Sequence, residues 1–307
     1  MSHIVVVGSL NMDLVVEVPT IPRPGETVLG KNFATFPGGK GANQAVAAAR
    51  LGASVSLIGR VGADSFGDQL LDSARAEGID VTHVGVDPEA ATGVAMISVD
   101  AAGQNSIAVA SGANYQLTAR HVREAWGQIG HVDTLIMPLE TPLETITTAA
   151  GLAGESGARV VLNPAPARPL PNDLLSLVDV LVPNEPEAAQ LTGMPVTNEG
   201  EVSEAARRLL ELGVGNVALT LGDRGALVLA GSQQTPTELH LGPHQVNVVD
   251  TTAAGDAFVA ALAVALGEGM PLAEAASFAN AAGALTVTKP GAQPSLPFRS
   301  EVEQLLS

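Results

Sequence analysis

Six short apolar runs recur along the chain with room for a helix between most neighbours: IVVV (4–7), VSLI (55–58), TLIM (134–137), RVVL (159–162), DVLV (179–182) and VALT (217–220). They are apolar on consecutive rather than alternate positions, as suits strands covered on both faces. Between them, DSFGDQLLDSARAEG (64–78) opens on an Asp/Ser cap and stops at Gly78, and EVSEAARRLLELG (201–213) ends likewise at Gly213. Strands alternating with helices predict an α/β fold: three α/β/α layers around a mostly parallel sheet, formed as one domain over residues 1–307. The site of such a sheet is expected at the carboxyl ends of its strands.

Two segments break the alternation. Residues 13–36 hold DLVVEV, then PTIPRPGE, then NFATF; residues 92–110 read TGVAMISVDAAGQNSIAVA, two extended runs around an AAGQ turn. They predict a small inserted β-sheet, discontinuous over about 12–36 and 91–113, that serves as a lid; a plain surface hairpin satisfies the same pattern. Exposed edges of such a sheet invite pairing with a second copy, hence a homodimer.

Charge narrows the partners. With 15 Lys+Arg against 32 Asp+Glu the net charge is −17, so there is no basic footprint for nucleic acid. The same field repels anionic substrates, and any phosphate site must be local: a metal ion, a few basic side chains or a helix N-terminus. The chain has no cysteine, which removes disulfides, thiolate nucleophiles and Cys-based zinc sites. The N-terminal MSHIVVVGSLNMD has no basic leader region and no run reaches about 18 apolar residues, so no membrane span and a cytoplasmic address are expected.

Familiar nucleotide motifs fail. GETVLGKN (25–32) nearly fits a phosphate loop, but Asn32 stands where a hydroxyl is needed and NFATFPGG is no helix. GSLNMD (8–13) has one glycine, too few for a dinucleotide fingerprint. The six histidines show no metal-ligand spacing.

What remains centres on VVDTTAAGDAFVAALAVALGEG (248–269). Ala257 to Leu266 carry no charge, so this helix is to be buried on all sides. Ala253, Ala254 and Gly255 put small side chains at its start, where backbone N–H groups are unpaired and carry about half a positive charge. That is an anion site needing no basic residue. Asp256 beside it would repel an anion, but makes sense as acceptor of a proton from a hydroxyl attacking phosphorus. It could equally stabilise the helix dipole, worth roughly 0.3–1 kcal/mol. FPGGKGANQAVAAARLGA (36–53) opens a second Ala-rich helix, whose Gly38, Gly39 and Gly41 leave open backbone while Lys40 and Asn43 offer polar groups suited to sugar hydroxyls; a plain glycine-rich helix entry reads the same way. Asn11, Met12 and Asp13 follow the first strand, and Glu140 follows TLIMPL. Asn184 and Glu187 in PNEPEAAQ (183–190) sit one turn apart at a helix start; oxygen ligands there suit Mg²⁺, and a charged helix N-terminus reads the same way.

Taken together, VVGSLNMD, GGKGANQAVAAARLG, NPAPAR, PNEPEA, TLGDRGA, DTTAAGDAFVAAL and GAQPS resemble the ribokinase family of ATP-dependent carbohydrate kinases, over nearly the whole chain. The resemblance implies phosphorylation of ribose at the 5-hydroxyl, with Asp256 as base and the backbone of Ala253, Ala254 and Gly255 as anion hole. It implies sugar contacts at Asn11, Met12, Asp13, Gly39, Lys40, Gly41, Ala42, Asn43 and Glu140. ATP would meet Asn184, Thr220, Leu221, Gly222, Asp223, Arg224, Gly225, Gly255 and Asn280, with Asn184 and Glu187 linked to Mg²⁺. An activating K⁺ would lie at Asp250, Thr252, Thr286, Lys289, Gly291 and Ser295, several acting through carbonyls. Deoxyribose, fructose or a nucleoside as substrate, or a catalytically silent sugar sensor, are the alternatives. Aromatics at 3% of residues disfavour stacking of a nucleoside base.

Overall fold

The computed structural model describes residues 1–231 and 236–307. Among the described residues thirteen strands follow in chain order: β1 His3–Val7, β2 Asn11–Glu17, β3 Phe33–Gly38, β4 Ser54–Gly62, β5 Val84–Asp87, β6 Gly93–Val99, β7 Asn105–Ala110, β8 Thr134–Met137, β9 Arg159–Leu162, β10 Val180–Leu181, β11 Asn216–Thr220, β12 Ala226–Ala230 and β13 Thr237–Leu241. The helices are α1 Lys40–Arg50, α2 Ser65–Ala76, α3 Ala119–Trp126, α4 Leu143–Ser156, α5 Asn172–Leu175, α6 Glu185–Thr192, α7 Glu199–Glu211, α8 Ala254–Gly267, α9 Leu272–Thr286 and α10 Arg299–Leu306.

Nine strands form one sheet in the order β13-β12-β11-β10-β9-β8-β1-β4-β5. Pairing from β11 through to β5 is parallel, and β12 and β13 extend the edge antiparallel. All six predicted runs are strands of this sheet. The consecutive apolar positions of β1 explain the layering. Ile4 and Val6 join one core with α1, α2, α8, α9 and α10, while Val5 and Val7 join the other with α3, α4, α6 and α7. The three-layer α/β/α fold around a mostly parallel sheet is therefore the one expected.

The segments that broke the alternation form the second sheet, ordered β3-β2-β6-β7. Its β2–β6 pair is parallel and its outer pairs antiparallel. Every residue of β7 is exposed, so among the described residues no helix covers that edge of the sheet. The near phosphate loop at 25–32 lies between β2 and β3 and runs into a strand, not a helix.

Helix α8 is the most enclosed of the described helices: Asp256 through Leu266 are all buried, between the sheet, α1 and α9. Its cap residue Ala253 has φ 62°, in the left-handed region. That conformation costs a non-glycine residue roughly 1–3 kcal/mol. Burial of Phe258, Val259, Leu262, Val264 and Leu266 contributes about 1.5–3 kcal/mol each, so packing decides where the helix starts.

Candidate active site

The turn before α8 leaves its N-terminus open. Among the described residues, no side chain caps it. Among the described residues, no protein acceptor takes the N–H of Gly255 or Asp256, while Ala254 N reaches Thr251 O only at 3.4 Å. The helix dipole and these amides together favour an anion.

Asp256 stands in the first turn but does not cap. Its Oδ2 accepts from Asn43 Nδ2 at 3.1 Å and its Oδ1 from Gln44 Nε2 at 2.9 Å, both from α1. Its carboxyl is pushed up chiefly by burial; Lys40 and the two amides oppose this, and Glu140 adds to it. A buried carboxylate held from another helix costs stability rather than adding it, so the dipole explanation is the weaker one.

A second acidic group lies at the carboxyl ends of β1 and β8. Glu140 Oε2 accepts from Ser9 Oγ at 2.5 Å, from Lys40 N at 3.1 Å and from Asn11 Nδ2 at 3.5 Å. Asn114 holds Asn11 by donating to its Oδ1 at 2.8 Å. Two glycines let the chain pass this closely. A Cβ on Gly39, where φ is 88°, would stand 2.6 Å from Asn11 N, and one on Gly41 would stand 2.5 Å from Ser9 N. The Asp13 carboxyl is raised to about 7, by burial first and then by Glu140 and Asp256, with Lys40 opposing. Lys40 is raised in turn, mainly by Asp256 and against its own burial. Asn11, Asp13, Lys40, Asn43, Glu140 and Asp256 thus form one polar cluster. Met12 and Ala42 instead bury their side chains in the core beside it.

Two cavities share the walls Asn184, Thr220, Thr251 and Gly255. The smaller, about 200 Å³, gathers Lys40, Asn163, Glu187, Ala253 and Asp256. The larger, about 760 Å³, is bounded by Gly222, Asp223, Gly225, Ala254 and Asn280, with apolar Val246, Val248, Phe258 and Val287. Leu221 and Arg224 do not line it; they face a separate cavity of about 220 Å³, and Arg224 pairs with Glu185. Asn280 also donates to Gly242 O at 2.8 Å.

Asn184 and Glu187 form a capping box on α6, each side chain bonding the other's backbone N–H at 2.8 and 2.9 Å. Burial raises Glu187, while Asn184 N and Lys40 oppose it. Its carboxylate still lines the smaller cavity, and oxygens with spare lone pairs fit a hydrated Mg²⁺. Asp250 clamps the turn before α8, accepting from Thr252 N at 2.9 Å and Gly291 N at 2.8 Å. The side chains of Thr286, Lys289 and Ser295 are spent on Ala282 O, Glu301 and Ala292 O. Among the described residues, the carbonyls of Thr252, Lys289 and Gly291 meet no protein donor, and free carbonyls beside a carboxylate fit a monovalent cation. Among the same residues no cluster of three or more His, Cys, Asp or Glu could hold a metal, and no helix is long and apolar enough to cross a membrane.

Sequence reasoning passed over Ser9, Gln44, Asn114 and Asn163. Gln44 had a signal: an amide in an otherwise apolar stretch of α1, at a position the helix buries.

The family model for pfkB family carbohydrate kinases matches residues 1–299. A ribokinase of Haemophilus influenzae is 45% identical over 98% of this chain and 97% of its own length. One of Bacillus subtilis is 43% identical over the whole of both chains. The solved structure of Arabidopsis thaliana ribokinase complexed with ribose and ATP superposes with a TM-score of 0.88 at 35% identity, covering 100% of this chain and 99% of that one.

Proposed function

The chain belongs to the pfkB family of carbohydrate kinases, and on that premise we propose that it transfers the terminal phosphoryl group of ATP to the 5-hydroxyl of D-ribose. Relatives named ribokinase, matched end to end at over 40% identity, support ribose. The observation that carries the reading is the position of Asp256: braced by α1 amides, on the wall of the small cavity that adjoins the large one.

The residues divide the work as follows. Asn11, Asp13, Asn43 and Glu140 hold the sugar, their oxygens accepting from its hydroxyls. ATP occupies the larger cavity, with its phosphates toward Gly255 and the smaller one. Asp256 takes the proton of the 5-hydroxyl as that oxygen bonds to phosphorus and the bond to the ADP oxygen breaks. The free amides of Gly255 and Asp256 and the charge of Lys40 offset charge on the phosphoryl oxygens. Mg²⁺, held near Asn184 and Glu187, would neutralise phosphate charge. K⁺ at the carbonyls of Thr252, Lys289 and Gly291 with Asp250 would stiffen the 253–255 turn. The small sheet acts as the lid, excluding water. Its exposed Phe33, Met96, Ile107 and Val109 fit a second copy of this chain, making a homodimer.

A coupled ADP assay over pentoses, hexoses and nucleosides tests the reading, with ribose expected to give the highest kcat/KM. Asp256→Asn should lower kcat about 10²–10⁴-fold while the protein still folds and binds ribose. Sugar-independent ADP release, or full turnover by that variant, would refute it.

A further inference from the structure

Gln44 has no part in the division of labour above, yet it is wholly buried and touches the group assigned as base. Its Nε2 donates to Asp256 Oδ1 at 2.9 Å and to Asn163 Oδ1 at 3.1 Å. Asn163, just past the end of β9, donates in turn from Nδ2 to the carbonyl of Val182 at 2.9 Å. A carboxamide nitrogen carries two hydrogens, so both are spent. Among the described residues Gln44 Oε1 has no donor. Turning the amide over would set that oxygen against the oxygens of Asp256 and Asn163, so its orientation is fixed by its neighbours. A carboxylate's last torsion is otherwise broad.

We infer that Gln44 is a positioning residue, which locks the plane of the Asp256 carboxylate by tying it through Asn163 to the backbone at the end of the parallel sheet. This rests on Asp256 being the base. The groups that face Asp256 are Lys40 and Asn43 on α1, Glu140 after β8, Asp13 on β2 and Glu187 on α6. Burial holds its carboxyl up, and the Gln44 hydrogen bond is one of the few influences holding it down. Removing that donor therefore raises it further and frees its rotation.

Gln44→Met keeps the volume and removes both donor hydrogens. At saturating ribose and ATP, kcat should fall about tenfold or more, and the acid limb of its pH profile should move up by about one pH unit. KM for either substrate should change less than about threefold, because the substrate contacts stay in place. In an Asp256→Asn background the same substitution should alter the residual rate by less than about twofold, since the two act through one group. An unmoved acid limb in Gln44→Met, or an equal loss of rate in both backgrounds, overturns the proposal while leaving the base intact. Full turnover by Asp256→Asn alone would instead overturn the base assignment, and this inference with it. If Gln44→Met does not fold, Asn163→Ser removes the next brace and should move the limb in the same direction; an unmoved limb there overturns the inference equally.

Discussion

Replacing Asp13 with asparagine tests whether the proposed sugar end of the site is held together against its own charge. Burial, Glu140 and Asp256 raise the Asp13 carboxyl from 3.8 to about 7, with Lys40 opposing. The native state therefore binds a proton that the unfolded chain has released, between pH 3.8 and about 7. Stability falls with pH wherever the native state holds more protons, so this group's penalty is absent below the unfolded value of 3.8, grows above it and is complete above about 7. At about 1.4 kcal/mol per pH unit the rise corresponds to on the order of 4 kcal/mol.

Asp13→Asn keeps the shape and removes that penalty. In thermal melts without ligand, the variant should gain on wild type as pH rises from about 5 to 8, by roughly 5 °C. Working with the difference between the proteins cancels groups that titrate alike in both. Ribose, whose hydroxyls donate to the ionised form, should pull the carboxyl down again. Wild type should then release a proton on binding near pH 6.5, read by calorimetry in two buffers of different ionisation heat, and the variant should not. A melting difference that stays flat across this range would refute the charge argument. Sugar binding without proton release would refute the contact.

Ser9→Ala removes the hydroxyl that holds Glu140 Oε2; KM for ribose should rise about tenfold with kcat within about threefold, and an unchanged KM would show that Glu140 needs no brace. Exchanging K⁺ for Na⁺ should lower wild-type turnover, and Asp250→Ala should erase the difference; equal wild-type rates in the two salts would remove the cation. Raising choline chloride at fixed K⁺ and Mg²⁺ should leave kcat/KM for ATP level or raise it, because salt screens a field that repels the nucleotide; a steep fall would mean basic side chains steer it.

The parallel sheet was legible because its strands are buried on both faces, so TLIM and RVVL coincide with β8 and β9 residue for residue. Strand β5, VGVD, is as short as those two, but Gly85 and Asp87 interrupt its valines and leave no apolar run. The antiparallel edge of β12 and β13 gives no pattern of its own, since direction is set by partners and not by side chains. Within the site, Gly39, Gly41 and the 253–255 turn were readable because close backbone approach demands small residues. Ser9, Gln44, Asn114 and Asn163 were not. Gln44 and Asp256 lie 212 positions apart, and Ser9 and Glu140 lie 131 apart. A hydroxyl or amide that acts through such a contact leaves no spacing to find, and only its burial among apolar neighbours marks it.

The acidity of the chain and its phosphate chemistry are reconciled by where positive charge is placed. Net charge is −17, and among the described residues no lysine or arginine lines the larger cavity. The smaller one has Lys40 against Glu187 and Asp256. Lys40, set against two carboxylates, cannot carry phosphate binding alone, and the field of the whole protein opposes it. On the proposed reading helix α8 would supply the alternative: its amides are aimed by backbone geometry, cannot be drawn off into ion pairs, and keep their partial charge at any pH. That solution requires a helix that will not fray at its first turn, where Ala253 is already held in an unfavourable conformation. The apolar body of α8, buried over its whole length, provides the rigidity. On the proposed reading, the feature that first marks this helix in the sequence, an uncharged run with one acid at its mouth, is a single device: the buried run would hold the amides still, and the acid beside them would take the proton.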